Sequence, residues 1–221
     1  FCLSRGLGDV YKRQVLGKPV EVVAADHQNK PDVAANLARE WFDQGKVDMI
    51  TDFPTASTAL AVMEIAKQKN RVTMPSAGLS TAILGEKCSP LNAQWTTNTY
   101  ALAAGTARAL VQEGKKTWYF ITADYTFGHS LEKDATEVIK ENGGTVVGVS
   151  RHPFPGNDFS SFLLKAQASK ADVIALANAG NDTVNAVKQA NEFGINKKQI
   201  VAPLLTYISD VHSMGLSLIH I

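Results

Sequence analysis

An α/β protein built on parallel sheets is what this sequence predicts, and three observations carry that expectation. The stretch 117–128 reads as an apolar strand (Trp118, Tyr119, Phe120, Ile121), a polar turn (ADYTFG) and the start of an amphipathic helix. The same alternation continues: a strand over 146–149, a helix opened by DFSSF at 158–162, and a strand over 173–177 that ends in NAGND at 178–182. Strand, crossover helix and strand in succession make a parallel sheet, which gathers ligands at the carboxyl ends of its strands. Thirdly, those ends carry aromatic and amide side chains and no nucleophile, phosphate loop or metal cluster. Such ends suit holding a small molecule better than transforming it.

The 221 residues suffice for one large or two small domains, and 45% apolar with 19% charged residues is the balance of a globular protein. A formal net charge of +1 with no basic stripe argues against a nucleic-acid partner. No apolar run nears the roughly 20 residues of a membrane helix, and no export signal is visible. Cys2 and Cys88 are too few and too far apart for a disulfide framework or a zinc site, so Cys88 reads as a small buried or loop residue. Residues 1–14 (FCLSRGLGDVYKRQ) have neither helical nor strand period, and SLIHI at 217–221 follows a loop-like SMG. Both ends resemble translated adapter sequence, so 1–14 and 214–221 are set aside as tails.

Taken in order, the first strand is expected over 20–25 (VEVVAA). A polar turn follows, with Pro31 suited to the first turn of a helix. Val33, Ala34, Leu37, Ala38, Trp41 and Phe42 keep the spacing of one buried helix face. A second strand ends near Ile50. Residues 55–58 (TAST) open a helix whose apolar face is Leu60, Met63, Ile65 and Ala66, and a short strand over 71–74 leads into the loop PSAGLS. The polar run QWTTN at 94–98 breaks the rhythm, which places a crossover near Asn98 and divides the chain into lobes at 15–98 and 99–213. In the second lobe one helix buries Leu131, Ala135, Val138 and Ile139 and stops at NGG. The next, capped by Asp158, buries Phe159, Phe162, Leu163 and Ala166, and a third buries Val184, Val187 and Phe193.

Helix N-termini leave backbone N–H groups unpaired and carry about half a positive charge, so they suit carboxylates. Thr55, Ser57 and Thr58 add hydroxyls at one such terminus, and the Ala77, Gly78, Leu79, Ser80 loop lets a second backbone segment come close; plain N-capping is the competing role. Tyr125 and Phe127, at a strand exit before Gly128, can cover an apolar ligand body or a cation, or be tucked into the lobe's own core. Asn178 and Asn181 can orient a polar head group, since an amide both donates and accepts, or can simply serve the turn. His129 is a weaker contact. No dinucleotide fingerprint, Walker loop, nucleophile elbow or zinc motif occurs, so no cofactor or metal is expected, and Asp26 and Asp124 lack a partner for acid–base work.

The runs ITADYTFG at 121–128, His152-Pro153 with DFSS at 158–161, and ANAGND at 177–182 resemble the solute-binding proteins of ABC importers, specifically the leucine/isoleucine/valine-binding group of type I periplasmic binding proteins. The likeness runs from about Val15 to about His212. It implies two Rossmann-like lobes that close on a ligand like a clamshell, a periplasmic or extracytoplasmic location, a membrane permease as partner, and no chemistry. It also implies that segments before Val15 and after His212 are missing, leaving a sheet position open in the first lobe. By the same resemblance, residues 55–58 and 77–79 grip an amino acid's carboxylate and ammonium. Phe127 stands where many members carry a tyrosine, and Ala179 where branched-chain binders can carry an aromatic. No acidic ammonium partner is found near Leu204, Leu205, Thr206 and Tyr207. The expected guest is therefore an amino acid or a related carboxylate or amide, with room for a larger apolar body such as an aromatic acid. The alternatives are a ligand-sensing domain of a regulator or receptor with the same fold, and an α/β enzyme using Asp26, Asp124 or His129.

Overall fold

The computed structural model describes residues 14–215. Strands β1 (Gln14–Val15) and β2 (Lys18–Pro19) form a minimal antiparallel hairpin, turned by Leu16 and Gly17 at φ +52° and +77°. Two positive φ values in a two-residue loop match the right-handed twist of the flanking strands. Helix α1 (Pro31–Asp43) starts on the proline and buries Ala34, Ala35, Ala38 and Phe42. Strand β3 (Met49–Thr51) follows, then α2 (Ala56–Gln68) and β4 (Val72–Met74), which pairs in parallel with β3. One apolar cluster serves this first lobe, centred on Phe42, Ile50, Phe53, Val62, Met63 and Ile65.

The strand expected over 20–25 does not form. Those residues take no regular structure and are exposed, with Val22 at 76% and Val23 at 56% of full exposure. Alternation gives a segment the right local shape, but a strand also needs a hydrogen-bonded neighbour, and β3 pairs with β4 alone. A cavity of about 520 Å³ opens where this segment stands away from the turn after β3, lined by residues 24–29, Asp52 and Pro54.

Helix α3 (Thr99–Gln112), capped by the Asn98 side chain on Ala101 N–H at 2.9 Å, carries the chain into the second lobe. There β5 (Thr117–Ala123), α4 (Thr126–Glu141), β6 (Thr145–His152), α5 (Ser160–Ala168), β7 (Val173–Ala177), α6 (Asn181–Glu192), β8 (Ile200–Pro203) and α7 (Ile208–Met214) follow in turn. The sheet is parallel throughout in the order β6-β5-β7-β8, confirming the parallel α/β expectation. Side chains alternate across β5. Trp118 and Phe120 enter the core under α3 and α4, while Tyr119 and Ile121 enter the one that holds Phe159 and Leu163 of the α5 side. Asp172 ties the strand starts together by accepting from Lys116 N–H, Thr117 N–H and the Thr117 hydroxyl at 2.8–3.0 Å. Those Thr117 bonds hold its carboxyl below the usual carboxylate range.

Two smaller expectations change, and of the two places offered for Cys88 the loop is the one it takes. Phe193 is 40% exposed, because it is the C-cap of α6 and lies beyond the last turn whose apolar face Ala186, Val187 and Ala190 supply. Asp158 acts one residue earlier than a cap, accepting from Ser160 N–H, while Phe159 holds the cap position. Cys88 is exposed, in a loop. Most of the tails set aside at 1–14 and 214–221 lies outside the described residues, although Gln14 pairs in the hairpin and Met214 packs on the second lobe's core.

Candidate ligand-binding site

Helices α2 and α4 both contact the loop that follows β4. Gly78 lies against the first turns of α2: a Cβ there would meet Ala59 Cβ and Ile83 Cδ1 at 3.1 Å and Ala56 Cα at 3.4 Å. Immediately after it, the Ser80 hydroxyl contacts the Ser130 hydroxyl of α4 at 2.7 Å. The Thr81 hydroxyl donates to Asp134, and Thr99 does so at 2.5 Å. Thr99 also accepts from Thr81 N–H and donates its own N–H to Leu79 C=O at 2.8 Å. Asp134 is 5% exposed and receives hydroxyl donors from both sides of the crossover, so it acts as a latch between the lobes.

Neither α2 nor α4 is capped by a side chain. In α2 the Thr58 hydroxyl donates to Thr55 C=O at 2.9 Å, so the Thr55 hydroxyl must be the donor in its 2.9 Å contact with Thr58. Thr55 can then only accept from Ser57 at 3.4 Å, and the Ser57 proton is the one left able to turn outward. The first ladder bond is Ala59 N–H to Thr55 C=O, which leaves the N–H groups of the opening turn for an anion. In α4 the first is His129 N–H to Tyr125 C=O, and Tyr125, at the cap position, does not cap. The short turn into α4 depends on Gly128, because a Cβ would drive into the carbonyl oxygen of Ala123 and approach that of Ala177 at 3.1 Å.

The residues singled out from sequence therefore divide into two groups. Ser57, Ala77 and Tyr125 remain accessible, as does Asn181, the first residue of α6. Thr55 and Thr58 are buried in the hydroxyl chain, Gly78 against α2, and Ser80 in the latch. Leu79 leaves its own lobe and joins the core of the other, together with Phe127, which lies in the first turn of α4 rather than before it. Asn178 is fully buried: its Oδ1 accepts from the Thr183 hydroxyl at 2.7 Å, and its Nδ2 lies 3.4 Å from His152 Nε2. His129 is exposed and contacts Asp124 at 2.7 Å at the surface.

Sequence reasoning gave no site role to His152, 1% exposed at the end of β6. Its Nδ1 lies 2.9 Å from Pro153 C=O, which fixes the proton on Nδ1 and leaves Nε2 to accept from Asn178. Asp182 stands 3.7 Å from Nδ1 and accepts from Gly156 N–H with both oxygens. Burial pushes the Asp182 carboxyl above its ordinary range, against weaker opposing pulls from Gly156 N–H and His152. Burial, and then the charge of Asp182, push the Tyr125 phenol upward as well, so it stays protonated and available as a donor. The signal available in the sequence was a histidine ending a strand beside an Asp opening a helix. Among the described residues no three His, Cys, Asp or Glu side chains gather as a metal site.

Parallel strands alternating with helices, and an interlobe loop that touches two helices without side-chain caps, make this an α/β architecture of Rossmann-like lobes. The chain belongs to the periplasmic binding protein family, whose model matches residues 6–220. That match extends into both segments set aside as tails. It is 30% identical over 201 residues to a Leu/Ile/Val-binding protein homolog of Brucella melitensis, covering 89% of this chain and 51% of that protein. It is 50% identical to a periplasmic binding protein of Burkholderia mallei of known structure, with a TM-score of 0.91 over 93% of this chain and 55% of the other. An ABC transporter solute-binding protein of Rhodopseudomonas palustris, solved with 3,4-dihydroxybenzoic acid, is 26% identical at a TM-score of 0.78, covering 86% and 52% of the two chains. The chain thus spans about half the length of the relatives it matches.

Proposed function

We propose that the protein carrying this chain is the extracytoplasmic solute-binding component of an ABC importer. It holds an amino acid or a related small carboxylate or amide between two lobes and releases it unaltered to a membrane permease. The observation that supports the reading is that the loop 77–80 touches two uncapped helices, α2 at its first turn through Gly78 and α4 through the Ser80–Ser130 contact. In this reading Ser57 and the first N–H groups of α2 take the ligand's carboxylate, and Tyr125 and Asn181 approach from the other lobe. Thr55, Thr58, Leu79, Ser80, Phe127 and Asn178 hold those groups in place from behind. Closure is a rotation about the crossover near Asn98, in which ligand contacts to both lobes favour the closed form. Family membership and the names of the relatives support a periplasmic location and a non-enzymatic role.

The test is a thermal-shift screen of the full-length protein against L-leucine, benzoate and acetamide. A ligand at 100 times its Kd should add about 2.7 kcal/mol to stability. Trp95, 88% exposed beside the crossover, should change its emission on closure. A protein whose melting and fluorescence ignore every amino acid, amide and aromatic acid tried at millimolar concentration is not a carrier of this class.

A further inference from the structure

The loop that follows β6 carries an aromatic side chain that neither the sequence motifs nor the family likeness singled out. Phe154 stacks on Tyr125 with ring centroids 4.4 Å apart and planes at 21°, and Tyr125 lies 6.0 Å from Phe127. The three rings form a row across the exits of neighbouring strands, since β6 pairs directly with β5. Phe127 at one end is buried, whereas Phe154 at the other keeps 39% of its surface open.

The loop is held rather than loose. His152 grips it from the strand side through Pro153 C=O, and Asp182, from the first turn of α6, grips it through Gly156 N–H. Gly156 itself is wedged: a Cβ there would meet His152 Nδ1 at 3.1 Å and Phe159 Cζ at 3.2 Å. Two buried polar groups, each with a partner in the loop, thus fix the segment on which Phe154 is mounted. Asn178, hydrogen-bonded between His152 and Thr183, braces the same network from β7.

We infer that Phe154 is a specificity-determining ligand contact, and that the row Phe154–Tyr125 selects a guest with a flat aromatic body attached to its carboxylate. The inference rests on the carrier function proposed above and names the substrate class of that site. A pair of rings in parallel stacking offers a flat apolar face. A planar guest can stack on it or meet it edge-on, gaining attraction beyond the area it buries, whereas a branched aliphatic side chain gains the area alone. The phenol of Tyr125, between the two phenylalanines, can donate to a polar substituent of the same guest.

Calorimetric titration of the full-length protein with benzoate and with L-leucine, before and after Phe154→Ala, tests this. The expected result is benzoate binding weakened about tenfold, the size of one stacked aromatic contact, with leucine binding altered less than about twofold. Phe154→Tyr should restore benzoate. If Phe154→Ala lowers the melting temperature enough to obscure binding, Phe154→Leu, which keeps apolar bulk without a ring, carries the same comparison. Equal weakening of both ligands, or benzoate affinity unchanged, overturns the inference. Unmodified protein that binds leucine but not benzoate overturns it while leaving the carrier function standing. Binding of neither ligand, together with a silent thermal-shift screen, removes both.

Discussion

The two lobes obey the same strand–helix grammar and reach different degrees of completion. In the second, four parallel strands are covered on both faces, with Trp118 and Phe120 fully buried on one side and Ile121, Ile174 and Leu176 on the other. In the first, two three-residue strands share a single cluster, and the segment that should extend the sheet lies exposed. A parallel strand contributes little until both of its faces and edges are satisfied, which is why all-parallel sheets are buried ones. The consequence for the site is a division of labour. The second lobe fixes side chains, through the His152, Asn178 and Asp182 network, while the first offers backbone N–H groups at the start of α2.

The largest test of that contrast is a pair of core truncations. Phe120→Ala should cost about 4 kcal/mol, and Met63→Ala about 2–3 kcal/mol because its cluster has fewer neighbours to leave stranded. In urea, Met63→Ala should move only an early transition and Phe120→Ala a later one, followed by hydrogen exchange at α2 and at β5. A single transition shifted by both substitutions would show that the lobes unfold as one and that the contrast is only geometric.

Next in size is the latch. Asp134→Ala strands the hydroxyls of Thr81 and Thr99, of which Thr99 is fully buried, at a cost of about 2 kcal/mol. Asp134→Asn keeps an acceptor and should cost less. If the latch sets how far the lobes open, small-angle scattering of the Ala variant should show a larger ligand-free radius of gyration. An unchanged radius would make Asp134 a local staple and nothing more.

Much of the second lobe was legible because its strands are long, apolar and separated by Gly- and Asn-rich turns, so strand, helix and parallel order follow from local pattern. The segment 20–25 has the same pattern and failed, because pairing is a tertiary property that alternation does not encode. Site residues show the same limit. Ser57 was legible as a helix-start hydroxyl and Tyr125 as a strand-exit aromatic, and both keep some exposure. That Asn178 turns inward depended on His152, 26 residues away in sequence and on another strand. Phe154 escaped notice for the same reason: nothing in HPFPG says that its ring will stack on a tyrosine at the preceding strand exit in the chain.

The smallest expected effect concerns the acid limb of stability and sharpens the contrast from the fixed lobe's side. Asp182 binds its proton more tightly folded than unfolded, because burial raises its carboxyl above the ordinary value near ~3.9. The folded state therefore holds more protons in that window, and linkage makes stability fall as pH climbs from the ordinary value through the raised one, then level off. Asp158 and Asp172, held low by their hydrogen bonds, contribute in the opposite sense, their stabilisation being present above the ordinary value and lost as pH drops. The readout is thus the difference between parent and Asp182→Asn, not the slope of either alone. Unfolding free energies from pH 3.5 upward (roughly the onset of carboxylate titration) should show the variant gaining on the parent as pH rises. The Asn oxygen can still accept from Gly156 N–H, so the loop bearing Phe154 stays in place. A variant that runs parallel to the parent across the whole range would mean that Asp182 is not desolvated, and that the network behind Tyr125 is wetter and looser than its geometry indicates.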